Sequence, residues 1–428
     1  MATAGRHPVL RRDPSSRVTP CPASAPIRAC PGEDGLGDRH RVGATGTYPI
    51  AKYQVPEIVF GLGSMSEVGH AVRRLGVRHV LLVTDPGIIE AGWVAEALTH
   101  LDEAGLRRTV WHGLTPNPKD FEVAAGMQLY LERGCDGLLA IGGGSCIDAA
   151  KGIAVLSSNG GNILGYAGID NIGKPIPPLV VVPSTSGTGA DVSQFAVITD
   201  TARKLKATLL SRVLVPNISI NDPRLLTTMP DWLAAATGLD ALTHGIESYV
   251  SKAASFLTDE HALSAIRLVN TYLGRTIDAP HDLEARQAMA RSSLEAGLAF
   301  TNALLGATHA LSHQVGGALD LPHGLVNSIL LPHVMRYNEE QDPATFGPVA
   351  QALAVPADLA ADEAAEAAAD RVRGLATSVG IPRGLADIGV QRGDLRGFAS
   401  TSLDDVCLLT NPRSITEQDA VDIFEAAL

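Results

Sequence analysis

Histidines and one carboxylate recur in the second half of the chain at intervals that suit metal chemistry. Asp240 and His244 lie four residues apart, His309 and His313 repeat that interval, and His323 follows in Pro322-His323-Gly324. An interval of four puts two side chains on one face of an α-helix. Carboxylate oxygen and imidazole nitrogen together suit a divalent first-row metal and leave room for a substrate. A single histidine is ordinarily a surface or hydrogen-bonded core residue. Asp240, His244 and His309, however, stand in otherwise apolar helical stretches. Burying such groups without partners costs on the order of several kcal/mol, and a metal is one remedy.

A second chemistry lies in the first half. Ile141-Gly142-Gly143-Gly144-Ser145 falls where an apolar run meets a helical pattern. Glycines there let backbone N–H groups approach an anion, and the helix N-terminus adds partial positive charge, which suits a pyrophosphate. Three glycines also make an ordinary turn, and the pattern is not the G-x-G-x-x-G fingerprint. Three further stretches strengthen the nucleotide reading. Thr84-Asp85 ends the first strong strand, Asn117 lies in a Thr-Pro-Asn-Pro turn, and Pro183–Gly189 crowds hydroxyls after another strand. All lie at expected carboxyl ends of strands, where open α/β sheets bind ligands. The Asp85 carboxylate would repel the 2′-phosphate of NADP and accept the free 2′-hydroxyl of NAD; it could equally be a turn residue.

These segments need scaffolding of two kinds. His79–Thr84, Thr109–His112, Gly137–Ile141 and Leu179–Val182 read as strands. Trp93–Ala104, Phe121–Arg133 and a segment through Val155 read as the helices between them. Alternation of this kind implies a parallel sheet covered on both faces. After about Pro230 the strand runs vanish. Trp232–Val250, Asp259–Leu273, Leu283–Phe300, Thr308–Ala318, Leu325–Tyr337 and Ala361–Val379 all read as helices. The expected organisation is residues 1–46 as a disordered extension, 47–230 as an α/β Rossmann-like dinucleotide-binding domain, and 231–428 as an all-helical metal-binding domain. The first 46 residues hold seven Arg, four acids and six Pro and show no apolar periodicity. That composition fits neither a secretory signal nor a transit peptide.

Composition narrows the function classes. The 428 residues carry a net charge of −12, which argues against a phosphate-binding nucleic-acid surface. The longest uncharged stretches are broken by Gly, Asn, Pro and Ser, so no membrane span is expected. Five cysteines without zinc-like spacing read as cytosolic free thiols. Cys146 sits beside a helix N-terminus, where a thiol can become reactive, although an inert buried cysteine is the commoner outcome.

The motifs GGGSCIDAAKGIA (Gly142–Ala154), PSTSGTGADV (Pro183–Val192), GLDALTHGIESYVS (Gly238–Ser251) and THALSHQVGGALDLPHGLVN (Thr308–Asn327) resemble the iron-containing (group III) alcohol dehydrogenase family, of dehydroquinate-synthase-like fold. The likeness runs from about Tyr48 onward. It implies Asp240, His244, His309 and His323 as metal ligands, and His313 as a histidine near the nicotinamide in proton transfer. Pyrophosphate contacts fall on Gly143, Gly144 and Ser145. Ribose and nicotinamide-side contacts fall on Asn117, Thr185, Thr188, Ser193, Val197 and Lys206, and Asp85 matches a position favouring NAD. Two departures, Ala190-Asp191 in place of the usual glutamate and Cys146 in place of the common proline, are expected to touch the cofactor site.

The implied reaction is NAD-dependent interconversion of a small primary alcohol and its aldehyde, with Fe(II), or alternatively Zn(II), as Lewis acid. The resemblance also implies a cytoplasmic homodimer or larger homo-oligomer. Two alternatives remain: a metal-dependent lyase of the same fold resembling dehydroquinate synthase, and a non-catalytic NAD-binding protein.

Overall fold

The computed structural model describes residues 51–428; the expectation for residues 1–46 lies outside them. The α/β half runs β1 (Glu57–Phe60), α1 (Val68–Arg74), β2 (His79–Val83), α2 (Pro86–Glu90), α3 (Trp93–Glu103), β3 (Arg107–Trp111), α4 (Asp120–Arg133), β4 (Gly137–Gly142), α5 (Gly144–Asn159), β5 (Gly168–Ile169), β6 (Leu179–Pro183), β7 (Phe195–Asp200), β8 (Leu205–Leu210) and β9 (Ile218–Asn221). The helical half follows as α6 (Asp231–Val250), α7 (Phe256–Asp278), α8 (Leu283–Ala303), α9 (Ala307–Leu319), α10 (His323–Glu339), α11 (Gly347–Ala352), α12 (Ala361–Ser378), α13 (Leu395–Ser402) and α14 (Glu417–Ala427). This is the expected fold class, a parallel sheet followed by helices.

Six strands form a parallel sheet in the order β1-β9-β6-β4-β2-β3. Every residue of β2 is buried, as a strand covered on both faces requires, and this explains its unbroken apolar run. From β2 the chain moves outward to β3 and then returns to the other flank of β2 as β4. The connections therefore diverge at the carboxyl ends of β2 and β4, and a crevice opens there. A small second sheet, β5-β8-β7, carries an antiparallel β7–β8 pair. β1, β5, β7, β8 and β9 were not expected from sequence. β1, β5 and β9 span only two to four residues, whereas β8 (LKATLL) does alternate apolar and polar residues over 205–209, a strand signal present in the sequence.

The helical half is built around α6. Every residue from Ala234 to Val250 is buried, so this helix is enclosed on all sides. It packs against α7, α8 and α10. α9 is buried from Ala307 to Gly317 and contacts β8 of the small sheet. Asp240, His244, His309 and His313 thus project from two helices whose backbones are immobilised by packing. Among the described residues no helix is long and apolar enough to cross a membrane.

Candidate active site

A cleft of about 820 Å³ lies between the carboxyl ends of the parallel strands and the helices of the second half. All fifteen residues singled out from sequence line it. Asp85, Asn117, Gly143, Gly144, Ser145, Thr185, Thr188, Ser193, Val197 and Lys206 come from the first half. Asp240, His244, His309, His313 and His323 come from the second.

On the helical wall, Asp240 Oδ1 lies 4.0 Å from His244 Nε2 and 4.0 Å from His309 Nε2. The candidate ligand atoms of these three residues all lie within 4.8 Å of one another. Donors placed ~2.1 Å from a common ion are separated by roughly 3–4 Å, so the set is near the span a metal needs. His323, the first residue of α10, stacks its ring 5.0 Å from that of His313 and lies tilted at 5.0 Å from that of His309.

The outward nitrogens are tied down. His244 Nδ1 lies 3.0 Å from the carbonyl oxygen of Gly187, and His309 Nδ1 lies 2.5 Å from Glu247 Oε2. Gly187 is needed for that approach, because a Cβ there would stand 1.8 Å from the Thr237 carbonyl oxygen. Partners of this kind set the tautomer and leave Nε2 free to ligate. Burial lowers the His244 pKa to about 4, against the opposing Asp240 charge, and holds His323 well below the ordinary histidine range. Both rings are therefore neutral at pH 7, as metal ligands must be. His309 is different: burial pulls it down, but the Glu247 carboxylate outweighs burial and raises it. His313 Nδ1 meets Asp405 Oδ2 at 2.8 Å, which turns its Nε2 edge away from that carboxylate.

On the sheet wall, β4 ends at Gly142 with φ +153°, and a Cβ there would lie 2.4 Å from Cys146 Sγ. Only glycine suits that turn, and the 16-residue helix α5 begins two residues later. The hydroxyls of Thr185 and Thr208 are buried on this cleft without hydrogen-bond partners in the protein, so a polar ligand has groups to engage. Asn117 knits the halves together: Lys206 Nζ donates to its Oδ1 at 3.0 Å, and its Nδ2 donates to Asp320 Oδ1 at 2.7 Å. Burial lowers the Lys206 pKa to about 8, against the pull of Asp320 and Asp240.

The commoner outcome holds for Cys146, and one expectation changes, at Asp191. Cys146 is not activated by its helix terminus: it is buried and donates its S–H to Asp85 Oδ2 at 3.2 Å. Burial, reinforced by the Asp85 charge, pushes its pKa well above the usual thiol value. Asp85 meanwhile caps α2, accepting from the Ile88 N–H at 3.1 Å. Asp191 does not line the cleft; its Oδ2 accepts from Ser219 Oγ at 2.7 Å inside the sheet.

Sequence reasoning missed Glu247, Asn327, Asp405 and Cys407. Glu247 follows His244 by three residues and Asn327 follows His323 by four, so both share a helix face with a named histidine. Asking what each imidazole's second nitrogen meets would have drawn attention to them. Asp405 and Cys407 lie some ninety residues from His313, and spacing carries no signal for them. Elsewhere in the first half, buried Lys151 Nζ donates to the carbonyl oxygens of Ser193 and Phe195 at 2.8 and 2.7 Å, holding a segment that lines the cleft.

The fold that carries this crevice and this histidine–aspartate cluster is shared with known proteins. Residues 56–223 match the family model "Iron-containing alcohol dehydrogenase", and residues 234–428 match "Fe-containing alcohol dehydrogenase family, C-terminal". The chain is 41% identical to 1,3-propanediol dehydrogenase of Citrobacter freundii over 89% of its own length and 100% of the relative's. It is 39% identical to the NAD-dependent methanol dehydrogenase of Bacillus methanolicus, covering 87% and 98%. A solved structure of 1,3-propanediol oxidoreductase superposes with a TM-score of 0.86 at 40% identity, covering 89% of this chain and 100% of that one. Fold, cleft and sequence agree along the described chain, which belongs to the iron-containing alcohol dehydrogenase family and is an NAD-dependent alcohol dehydrogenase.

Proposed function

We propose that Asp240, His244, His309 and His323 hold Fe(II), with Zn(II) as a competent substitute, and that the substrate is a small primary alcohol. The observation that carries the metal assignment is the opposed orientation of the imidazole nitrogens. Nδ1 of His244 and of His309 is occupied by Gly187 and Glu247, while Nε2 of each faces Asp240. When bound, the metal supplies Lewis-acid polarisation of the alcohol or carbonyl oxygen. The protein does the rest. Phe195, Phe300, Leu305 and Cys407 form an apolar cluster on the cleft beside the ligands, which suits a small aliphatic substrate and excludes water. Relatives named for 1,3-propanediol and methanol support that size class.

The nicotinamide nucleotide would lie along Gly143, Gly144 and Ser145, with Asn117, Thr185, Thr188, Ser193, Val197 and Lys206 on the ribose and nicotinamide side. Asp85 would favour NAD over NADP. His313, its Nδ1 held by Asp405, would accept the alcohol proton at Nε2 and pass it outward. Among the described residues Lys206 is the cleft's sole lysine or arginine, which disfavours a lyase acting on a phosphate-bearing substrate. A cytoplasmic homo-oligomer fits the same reading. The test is an alcohol panel followed at the NADH absorbance band, with chelator-stripped protein reloaded with Fe(II) or Zn(II). Turnover of short primary alcohols by the reloaded protein, lost in His309→Ala, is the expected result. Full activity of stripped His309→Ala would refute it.

A further inference from the structure

We propose that the side-chain amide of Asn327 holds the ligand set together in the metal-free protein and surrenders its imidazole partner when metal binds. The inference rests on the metal-centre reading above. Asn327 is fully buried on α10, one turn beyond His323. Its Nδ2 lies 2.7 Å from Asp240 Oδ1, 3.0 Å from His323 Nε2 and 3.2 Å from His309 Nε2. Three of the four candidate ligand atoms therefore converge on one amide nitrogen.

An amide nitrogen offers two hydrogens and no lone pair, so it donates to two of these three acceptors at a time. A neutral imidazole has a single lone pair, on its unprotonated nitrogen. At His309 the Nδ1–H is turned to Glu247, so in the neutral ring the lone pair sits on Nε2 and points at Asn327. It is the lone pair a metal would take. Asn327 and a metal are thus mutually exclusive partners for His309 Nε2 and His323 Nε2. Asp240 Oδ1 has more than one acceptor site and can serve both. Without the amide, a buried carboxylate and two buried ring nitrogens would face one another unpartnered, which is costly away from water. The Asn327 Oδ1 atom is buried and has no hydrogen-bond partner, so nothing holds the amide from its other end.

The consequence has an unusual sign. A residue that supports bound metal weakens affinity when removed. Asn327 competes with the metal, so removing its donors tightens binding. With one hydrogen kept by Asp240, one ordinary hydrogen bond is given up on metal binding, which corresponds to an effect of about three- to tenfold.

The experiment uses the full chain, stripped with a chelator, and Zn(II) as the probe. Affinity is read by competition with a chromophoric chelator, and Tm is measured with and without Zn(II). Asn327→Leu and Asn327→Ala are expected to bind Zn(II) about three- to tenfold more tightly than wild type. Both should lower the Tm of the stripped protein more than that of the loaded protein. Unchanged or weaker affinity in the variants, with normal uptake by wild type and loss of uptake in His309→Ala, overturns this inference alone. No uptake by wild type overturns the metal-centre reading and this inference together. Should the variants fail to fold, the Asn327 side-chain amide resonance of the wild type decides. It should shift on Zn(II) addition, and a resonance that stays in place overturns the inference.

Discussion

His309 Nδ1 and Glu247 Oε2 meet at 2.5 Å between two buried helices, and the same carboxylate accepts from the backbone N–H groups of Gly306 and Thr308 at 3.1 and 2.6 Å. Glu247 therefore caps the start of α9 and fixes the His309 tautomer at once. Replacing it with glutamine keeps the shape but puts an N–H₂ where donors already point. Glu247→Gln is expected to weaken Zn(II) binding by about 10–100-fold, the usual effect of losing an outer carboxylate partner. Chelator competition measures it, and the change runs opposite to that expected for Asn327→Leu.

Asp405 does for His313 what Glu247 does for His309, with a different readout. It does not line the cleft, and its contact with His313 Nδ1 is 2.8 Å. His313→Ala should lower kcat by ~10²–10⁴-fold, the range for loss of a general acid–base group. Asp405→Asn should lower kcat by about tenfold or more and leave the KM for NAD unchanged. A parallel rise in that KM would mean that Asp405 holds the cleft wall rather than the imidazole.

Cys146 should be chemically quiet. Its burial and its hydrogen bond to Asp85 both favour the protonated thiol. Iodoacetamide at pH 8 is expected to label it only after unfolding, equally slowly with and without NAD. Rapid labelling of the native protein that NAD suppresses would restore the activated-thiol reading.

Glu339 links stability to pH. Burial, with the neighbouring Glu366 charge, raises its pKa to about 7, and its Oε2 is buried without a hydrogen bond. Between the unfolded value near 4.5 and about 7, the folded protein binds more protons than the unfolded chain. This residue's contribution to stability therefore declines as pH rises through that window, and the deficit is complete above it. Glu339→Gln removes the deficit. Its Tm is expected to exceed that of wild type at pH 8 and to match it near pH 5, as thermal unfolding at the two pH values would show.

The core of the fold could be read from residue order. β2 and β4 are continuous apolar runs because both faces are covered, and α6 is enclosed from Ala234 to Val250, so that its polar residues Asp240, His244 and Glu247 are buried at the site. Among the strands that escaped notice, β8 alternates apolar and polar residues over 205–209, so a strand signal was present, but its antiparallel pairing with β7 in a separate sheet was not legible in either segment. Asp191 and Cys146 show the same limit at the site. Asp191 was expected to touch the cofactor site, yet it turns into the sheet toward Ser219; for Cys146 the sequence left a reactive and a commoner inert reading, and its bond to Asp85 decides for the inert one.

Sequence alone determined which donor atoms are present and which share a helix face, because a spacing of four is a local property of the backbone. It also determined that a glycine-rich turn would meet a helix N-terminus at Gly142–Ser145. What the tertiary structure decided is which nitrogen of His244 and His309 faces Asp240 and which faces away. That choice depends on Gly187 and Glu247, as the orientation of His313 depends on Asp405, residues brought together from separate segments. A hydrogen bond across such a distance in the chain is a product of packing, and no local interval encodes it.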